Sequence, residues 1–143
     1  MLLPDVNVLV YAFRPALQRH AEFRTWLEAL VGGREAYGMS DLVLSGFLRV
    51  VTNPRAFQDP DPMEQAMAFV SILREQPHCV SIAPGQRHWD LFQDLCRRAQ
   101  AKGSLVPDAY HAALAIESGC EWITTDRDYA RFPGLRWRHP LDG

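Results

Sequence analysis

Apolar positions along this chain switch between short continuous runs and helical spacing, and glycine and proline mark most of the switches. LLPD predicts a short strand ended by Pro4, which has no N–H for a central ladder. VNVLVYAF then predicts a helical turn or two with Asp5 at its start. Between His20 and Val31, Phe23, Trp26, Leu27, Leu30 and Val31 recur at helical spacing, and Gly32-Gly33 ends that helix. AYGMS predicts a second strand. Ser40 is the expected N-cap of the helix DLVLSGFLRVVT, which Asn53-Pro54 breaks. The following helix, DPDPMEQAMAFVSILREQ, has Asp61 as its expected cap and Pro62 at its first position, with Met63, Met67, Val70 and Leu73 as its buried stripe. CVSIA predicts a third strand, and residues 87–101 a helix carrying Trp89, Leu91, Phe92 and Leu95. After the loop KGSLVP comes an alanine-rich helix, DAYHAALAIESG, closed by Gly119. EWITT predicts a fourth strand and LRW a short fifth.

Strands separated by helices imply an α/β domain with a mostly parallel sheet of four to five strands, spanning residues 1–143 as one unit. In open parallel sheets, sites gather beyond the carboxyl ends of the strands. Asp5 follows the first strand, Asp126 follows the fourth, and Asp108 opens the helix before that fourth strand. Three carboxylates distant in sequence are therefore expected at one sheet edge.

Composition narrows the classes without naming a chemistry. With 143 residues, 48% hydrophobic and 22% charged, the chain can bury a core without staples. No apolar run reaches membrane-span length and no secretory head opens the chain, so a cytoplasmic location is the expectation. Cys79, Cys96 and Cys120 are odd in number and far apart, which suits free thiols. The net charge of −2 excludes a globally basic nucleic-acid binder, so a basic patch would have to be local. Lys102 is the only lysine beside fourteen arginines, a bias that phosphate recognition or genome composition can each produce.

Asp5 is the charge that composition does not explain. It stands among Leu2, Leu3, Val6 and Val8, and an ionised carboxylate without a partner is costly to bury. Asp108 and Asp126 each have a plainer reading as helix caps, and Asp128 as one partner of Arg127 or Arg131 on a solvated face. A shared Mg²⁺ or Mn²⁺ answers the burial problem for the acids together, because it relieves their repulsion while keeping waters. Such an ion polarises a water and stabilises charge on a phosphoryl group, which points to phosphodiester hydrolysis.

LPDVNVLVYA, MSDLVLSGFLRVVTNPRAF, LVPDAYHAALAIESGCEWITTDRDYARFPGL and the closing PL resemble the PIN domain, in particular the VapC-like toxin of type II (VapBC) toxin–antitoxin pairs. The resemblance covers essentially the whole chain. It implies a three-layer α/β/α fold and a Mg²⁺-dependent ribonuclease, a hydrolase acting on ester bonds. It also implies a homodimer and inhibition by a cognate VapB-like antitoxin. Carried over by position, it makes Asp5 and Asp108 the principal metal ligands and catalytic acids, with Asp126 completing the site directly or through water. Thr124 matches a hydroxyl position that holds a water or an acidic neighbour. Asn7 matches a polar position that orients Asp5, where a local turn bond is the plainer alternative. Asp128 is a supporting acid.

One position departs from the pattern. Many PIN domains carry a glutamate where this chain has Gly46, although the family also varies there. Asp41, about one and a half helical turns earlier, reads as a first-turn acid favoured by the helix dipole. Arg49 and Arg127 are candidates for contacting RNA phosphate or, equally, for pairing with acids. His111, one turn after Asp108, is read as partly buried in preference to metal-bound. Trp26, Trp89 and Phe92 fit core packing. Two rival functions stand beside the nuclease. A catalytically silent PIN-like module would bind RNA or antitoxin without cutting. A haloacid-dehalogenase-type phosphatase would need a second acid where Asn7 stands and a lysine other than Lys102.

Overall fold

The computed structural model describes residues 1–142; Gly143, the last residue of the expected domain, lies outside them. Strands β1 (Leu2–Pro4), β2 (Tyr37–Ser40), β3 (Cys79–Ile82), β4 (Glu121–Ile123) and β5 (Trp137–Arg138) form one sheet in the order β3-β2-β1-β4-β5. Every pairing is parallel. Six helices connect them: α1 (Val6–Phe13), α2 (His20–Gly32), α3 (Asp41–Val51), α4 (Met63–Arg74), α5 (His88–Arg98) and α6 (Leu105–Ser118). In this three-layer α/β/α arrangement, α1 packs on α2 and α3, α3 on α4, and α5 on α6.

The central strand is short, yet the proline at its end does not interrupt the ladder. Pro4 pairs with Ile123 in register, and the next residue resumes bonding, Asp5 N–H donating to the Ile123 carbonyl at 2.8 Å. From β1 the chain moves outward to β2 and β3, then returns to β4 on the other side. The strand order therefore reverses at β1, and the crevice beyond the ends of β1 and β4 is where such sheets place a site. Beneath it lies a core of fully buried large side chains, among them Trp122, Tyr37, Phe47, Leu3 and Leu9. Ala109, Ala112, Ala113 and Ala115 let α6 approach closely. Its end is set by Gly119, whose φ of 71° is a conformation that glycine adopts without steric cost.

Five local expectations need correction. Ser40 stands at the N-cap position of α3, but its side chain makes no capping bond. Asp61 does not cap α4; its carboxylate is 2.6 Å from Arg14 Nη1, and Pro62 takes the cap position. The buried face of α4 is accordingly Ala66, Phe69, Val70 and Leu73, while Met63 and Met67 are 43% and 44% exposed. On α5 the inward positions are His88 and Leu95, and Trp89 is 59% exposed. Finally, α6 begins at Leu105, so Asp108 lies within the first helical turn and is not its cap.

Candidate active site

Three segments meet in a cleft of about 550 Å³ at the reversal point, lined among others by Asp5, Asn7, Asp108, His111 and Asp126. Asp5 is the N-cap of α1, with extended backbone that turns its carboxylate back over the helix start. Its Oδ1 accepts from Val6 N–H at 2.6 Å, and its Oδ2 accepts from Thr124 Oγ1 at 2.7 Å and Asn7 Nδ2 at 3.1 Å. Although only 6% exposed, Asp5 is held by these bonds in one orientation.

Thr124, fully buried at the end of β4, joins the two acid-bearing segments. Its hydroxyl donates to Asp5 and accepts from Asp126 N–H at 3.0 Å and Asn7 Nδ2 at 3.3 Å. Asn7 makes the second cross-link, its Oδ1 accepting from Thr125 N–H at 3.1 Å. This amide spans two segments, so a purely local turn bond does not describe it. Asp126 is also a cap, its Oδ1 accepting from Asp128 N–H at 2.9 Å at the start of a short 3-10 helix, Arg127–Arg131.

The electrostatics record crowding of like charges. Burial raises the Asp5 carboxyl from 3.8 to about 6; bonds from Thr124 and Val6 oppose this, and the fields of Asp108 and Asp126 reinforce it. Asp108, half-buried, is raised by burial first and then by Asp126, against a hydrogen bond from Tyr129. That bond runs from the Tyr129 hydroxyl to Asp108 Oδ1 at 3.3 Å. Burial chiefly, with the neighbouring carboxylates, pushes the Tyr129 hydroxyl far up and keeps it a donor. Burial pushes His111 down to about 4, so its ring is neutral at pH 7; it stacks near Trp122 at 5.2 Å, and its Nδ1 has no partner.

The other expected residues divide. Arg49 lines the cleft and is exposed, and it makes no ion pair among the described residues. Arg127 is exposed and does not line the cleft. Asp128 faces a neighbouring hollow shared with Asp108, Lys102 and Arg131, without pairing with either Arg127 or Arg131. Asp41 is a first-turn acid of α3, exposed and 3.4 Å from Arg74 Nε. Gly46 faces Val6: a Cβ built on Gly46 would lie 2.9 Å from Val6 Cγ2. The valine next to Asp5 occupies the space a longer side chain at 46 would need.

Among the described residues, no three acidic, histidine or cysteine side chains are gathered closely enough to enclose a metal by themselves. The donor set still suits a hard cation. It consists of carboxylates, two of which, Asp5 and Asp108, are shifted upward by burial first and by the fields of neighbouring carboxylates second, a deficit that positive charge would relieve. Magnesium is commonly held by one or two carboxylates and several waters. An open, hydrated site fits these residues and a closed cage does not.

Tyr129, Val6 and Phe57 contribute to the cleft and were not singled out by sequence. For Tyr129 a signal exists, because an aromatic with a polar tip lies three residues after Asp126. For Val6 and Phe57 none does, since their roles depend on partners far away in the chain.

The PIN domain family model matches residues 2–135. Ribonuclease VapC43 of Mycobacterium tuberculosis is 47% identical over 143 residues, covering 100% of this chain and 97% of that protein. Ribonuclease VapC25 of the same organism is 41% identical over 140 residues, covering 98% and 99%. Among solved structures, VapBC2 from Rickettsia felis bound to a promoter DNA fragment superposes with a TM-score of 0.69 at 17% identity, covering 96% of this chain and 97% of its own. At that identity the superposition speaks for the fold. The family match and the end-to-end relatives go further: this chain belongs to the PIN domain family.

Proposed function

We propose that this protein is a Mg²⁺-dependent ribonuclease, the toxin component of a toxin–antitoxin pair acting in the cytoplasm. The observation that carries the reading is the meeting of Asp5, Asp108 and Asp126, from three separate segments, on one cleft at the strand-order reversal. Relatives named as ribonucleases at 47% and 41% identity support it.

In this reading Asp5 and Asp108 hold the cation, and Asp126 completes the set directly or through water. When bound, Mg²⁺, or Mn²⁺ in its place, supplies a polarised water and offsets charge on the phosphate. Thr124 opposes the upward shift of Asp5, Thr124 and Asn7 aim it, and Tyr129 restrains Asp108. Arg49, which makes no ion pair among the described residues, meets the incoming phosphate. Hydrolysis forms a P–O bond from water and breaks the P–O bond to a ribose oxygen, with a proton passing to that leaving oxygen.

The partner we assign is a VapB-like antitoxin. A groove of about 490 Å³ lined by Phe13, Leu27, Val31, Phe69, Ile72 and Leu73 lies between α1, α2 and α4, with Ile72 58% exposed. It would take the apolar face of an amphipathic helix or extended tail, with a basic side chain reaching the acids. A second copy of the chain completes the assembly as a homodimer. Solved VapBC complexes from Rickettsia felis and Haemophilus influenzae share this fold.

The alternative is a silent RNA- or antitoxin-binding module, favoured by one observation, Gly46 in place of the family's frequent glutamate. Divalent-metal titration with an RNA cleavage assay separates the two. Cleavage that requires Mg²⁺ or Mn²⁺, and is lost in folded Asp5→Asn and Asp108→Asn, supports the nuclease. RNA binding without cleavage under any divalent ion supports the silent module.

A further inference from the structure

Four aromatic rings face the acid cleft, and three are already committed. Tyr11 is stacked on Phe23 with centroids 4.9 Å apart, His111 lies on Trp122, and Tyr129 is 1% exposed. Phe57 is different. It is half-buried and packs in part against the core, no other ring packs against it among the described residues, and it sits on the non-helical segment between α3 and α4. The Arg14 guanidinium carbon lies 3.8 Å from the Phe57 ring centroid, a cation–π contact that covers one face.

That arrangement is anchored beyond what packing one phenylalanine requires. Arg14, itself buried, spans Asp59 Oδ1 at 2.7 Å, Asp61 Oδ2 at 2.6 Å and the Asp59 carbonyl at 3.1 Å. The same segment is tied back by Phe57 N–H to Asn53 O at 3.2 Å and Asp61 N–H to Val51 O at 2.8 Å. The segment thus holds an aromatic ring in place at a cleft that Asp5, Asp108 and Asp126 also line. Arg49 lies in the same cleft, one residue from Val50, which also lines it.

We propose that Phe57, backed by Arg14, is a stacking platform for an unpaired nucleobase of the RNA strand whose phosphate enters the acid cleft. The proposal rests on the ribonuclease reading and adds how the substrate strand is held. Single-stranded RNA is commonly gripped by bases splayed onto aromatic rings, and every base offers a face for this. An acidic cleft repels the RNA backbone until a cation is present, so an uncharged contact nearby is a suitable means of holding the strand.

The test uses the full-length protein in an Asp108→Asn background, which keeps the RNA intact, and a short fluorescein-labelled single-stranded RNA alongside copies with one abasic ribose at successive positions. Phe57→Ala and Phe57→Leu are expected to bind the complete strand roughly 5- to 100-fold more weakly, and Phe57→Trp to bind it as well as Phe57 does. One abasic position should weaken binding by a similar factor with Phe57 present and have no further effect in Phe57→Leu. Thermal melts of Phe57→Leu, which retains apolar bulk, separate lost stacking from lost folding. If the otherwise unmodified protein cuts RNA while folded Phe57→Leu binds and cuts as well as it does, the platform is wrong and the nuclease stands. If no RNA is bound or cut, both readings fall. If Phe57→Leu loses antitoxin binding alone, the ring belongs to a protein contact and the proposal is overturned.

Discussion

Gly46 and Val6 share one volume: a Cβ on Gly46 would stand 2.9 Å from the Val6 Cγ2 methyl, closer than side chains tolerate. The position where many family members carry glutamate has thus been closed by the residue beside Asp5. Gly46→Ala should gain about 1 kcal/mol of helix propensity and lose about 1–3 kcal/mol to overpacking, for a net loss. With Val6→Ala the same change should become stabilising. Denaturant melts of the four proteins measure this coupling, and additive effects would show that the two side chains do not compete. Gly46→Glu is expected to need Val6→Ala before it folds stably.

Asp5 makes metal-free stability depend on pH in a defined direction. Its carboxyl is raised from 3.8 to about 6 in the fold, so between those values the folded state binds the proton that the unfolded state releases. Stability therefore falls as pH rises through this window, by about 3 kcal/mol in all, and stays low above it. Asp108 shifts in the same direction and adds to the effect. Melting in chelator across pH 4 to 7 should show the decline, and Asp5→Asn should flatten it. Added Mg²⁺ should raise the melting temperature more at pH 7 than at pH 5. A stability that climbs with pH would contradict the assigned cause.

Thr124 ties Asp5 to Asp126 through one hydroxyl. Thr124→Val keeps the volume but removes a donor to a buried carboxylate and an acceptor for Asp126 N–H, at a cost of about 1–3 kcal/mol. Because that hydrogen bond lowers the Asp5 pKa, its loss should push the acidic limb of the pH–rate profile upward. Thr124→Ser should restore both stability and profile; an unchanged profile in Thr124→Val would remove this role.

Tyr129→Phe deletes only the hydroxyl that donates to Asp108 at 3.3 Å. The bond is long and Asp108 is half-buried, so water can replace the donor and stability should change by about 1 kcal/mol or less. Cleavage should slow several-fold, with a raised Mg²⁺ requirement. Equal metal titration curves for the two proteins would reduce Tyr129 to packing.

Much of this molecule is legible before folding. Asp5 stands out because a charge among leucines and valines needs an explanation, and the strands at LLP, YGMS, CVSI and EWI all appear as expected. What misleads is local chemistry with more than one use. Asp61 resembles a cap until Arg14 arrives from α1 to take its carboxylate. Met63 and Met67 have the right spacing to be buried, but Ala66, Phe69, Val70 and Leu73 occupy the face of α4 that meets the core.

Periodicity and turn residues act over a few neighbours, and so the chain alone settles the order of elements, their parallel class and the acids worth watching. Two of the bonds that hold Asp5 are local, but the bond from Thr124 to Asp5 and those joining Asn7 to Thr124 and Thr125 link positions more than a hundred residues apart. Arg14 reaches Asp59 and Asp61 across more than forty. Such contacts depend on which surfaces pack after the sheet forms. Hence the hydroxyl bridge at Thr124, the clash that keeps Gly46 a glycine and the ring of Phe57 at the cleft emerge only in the folded molecule.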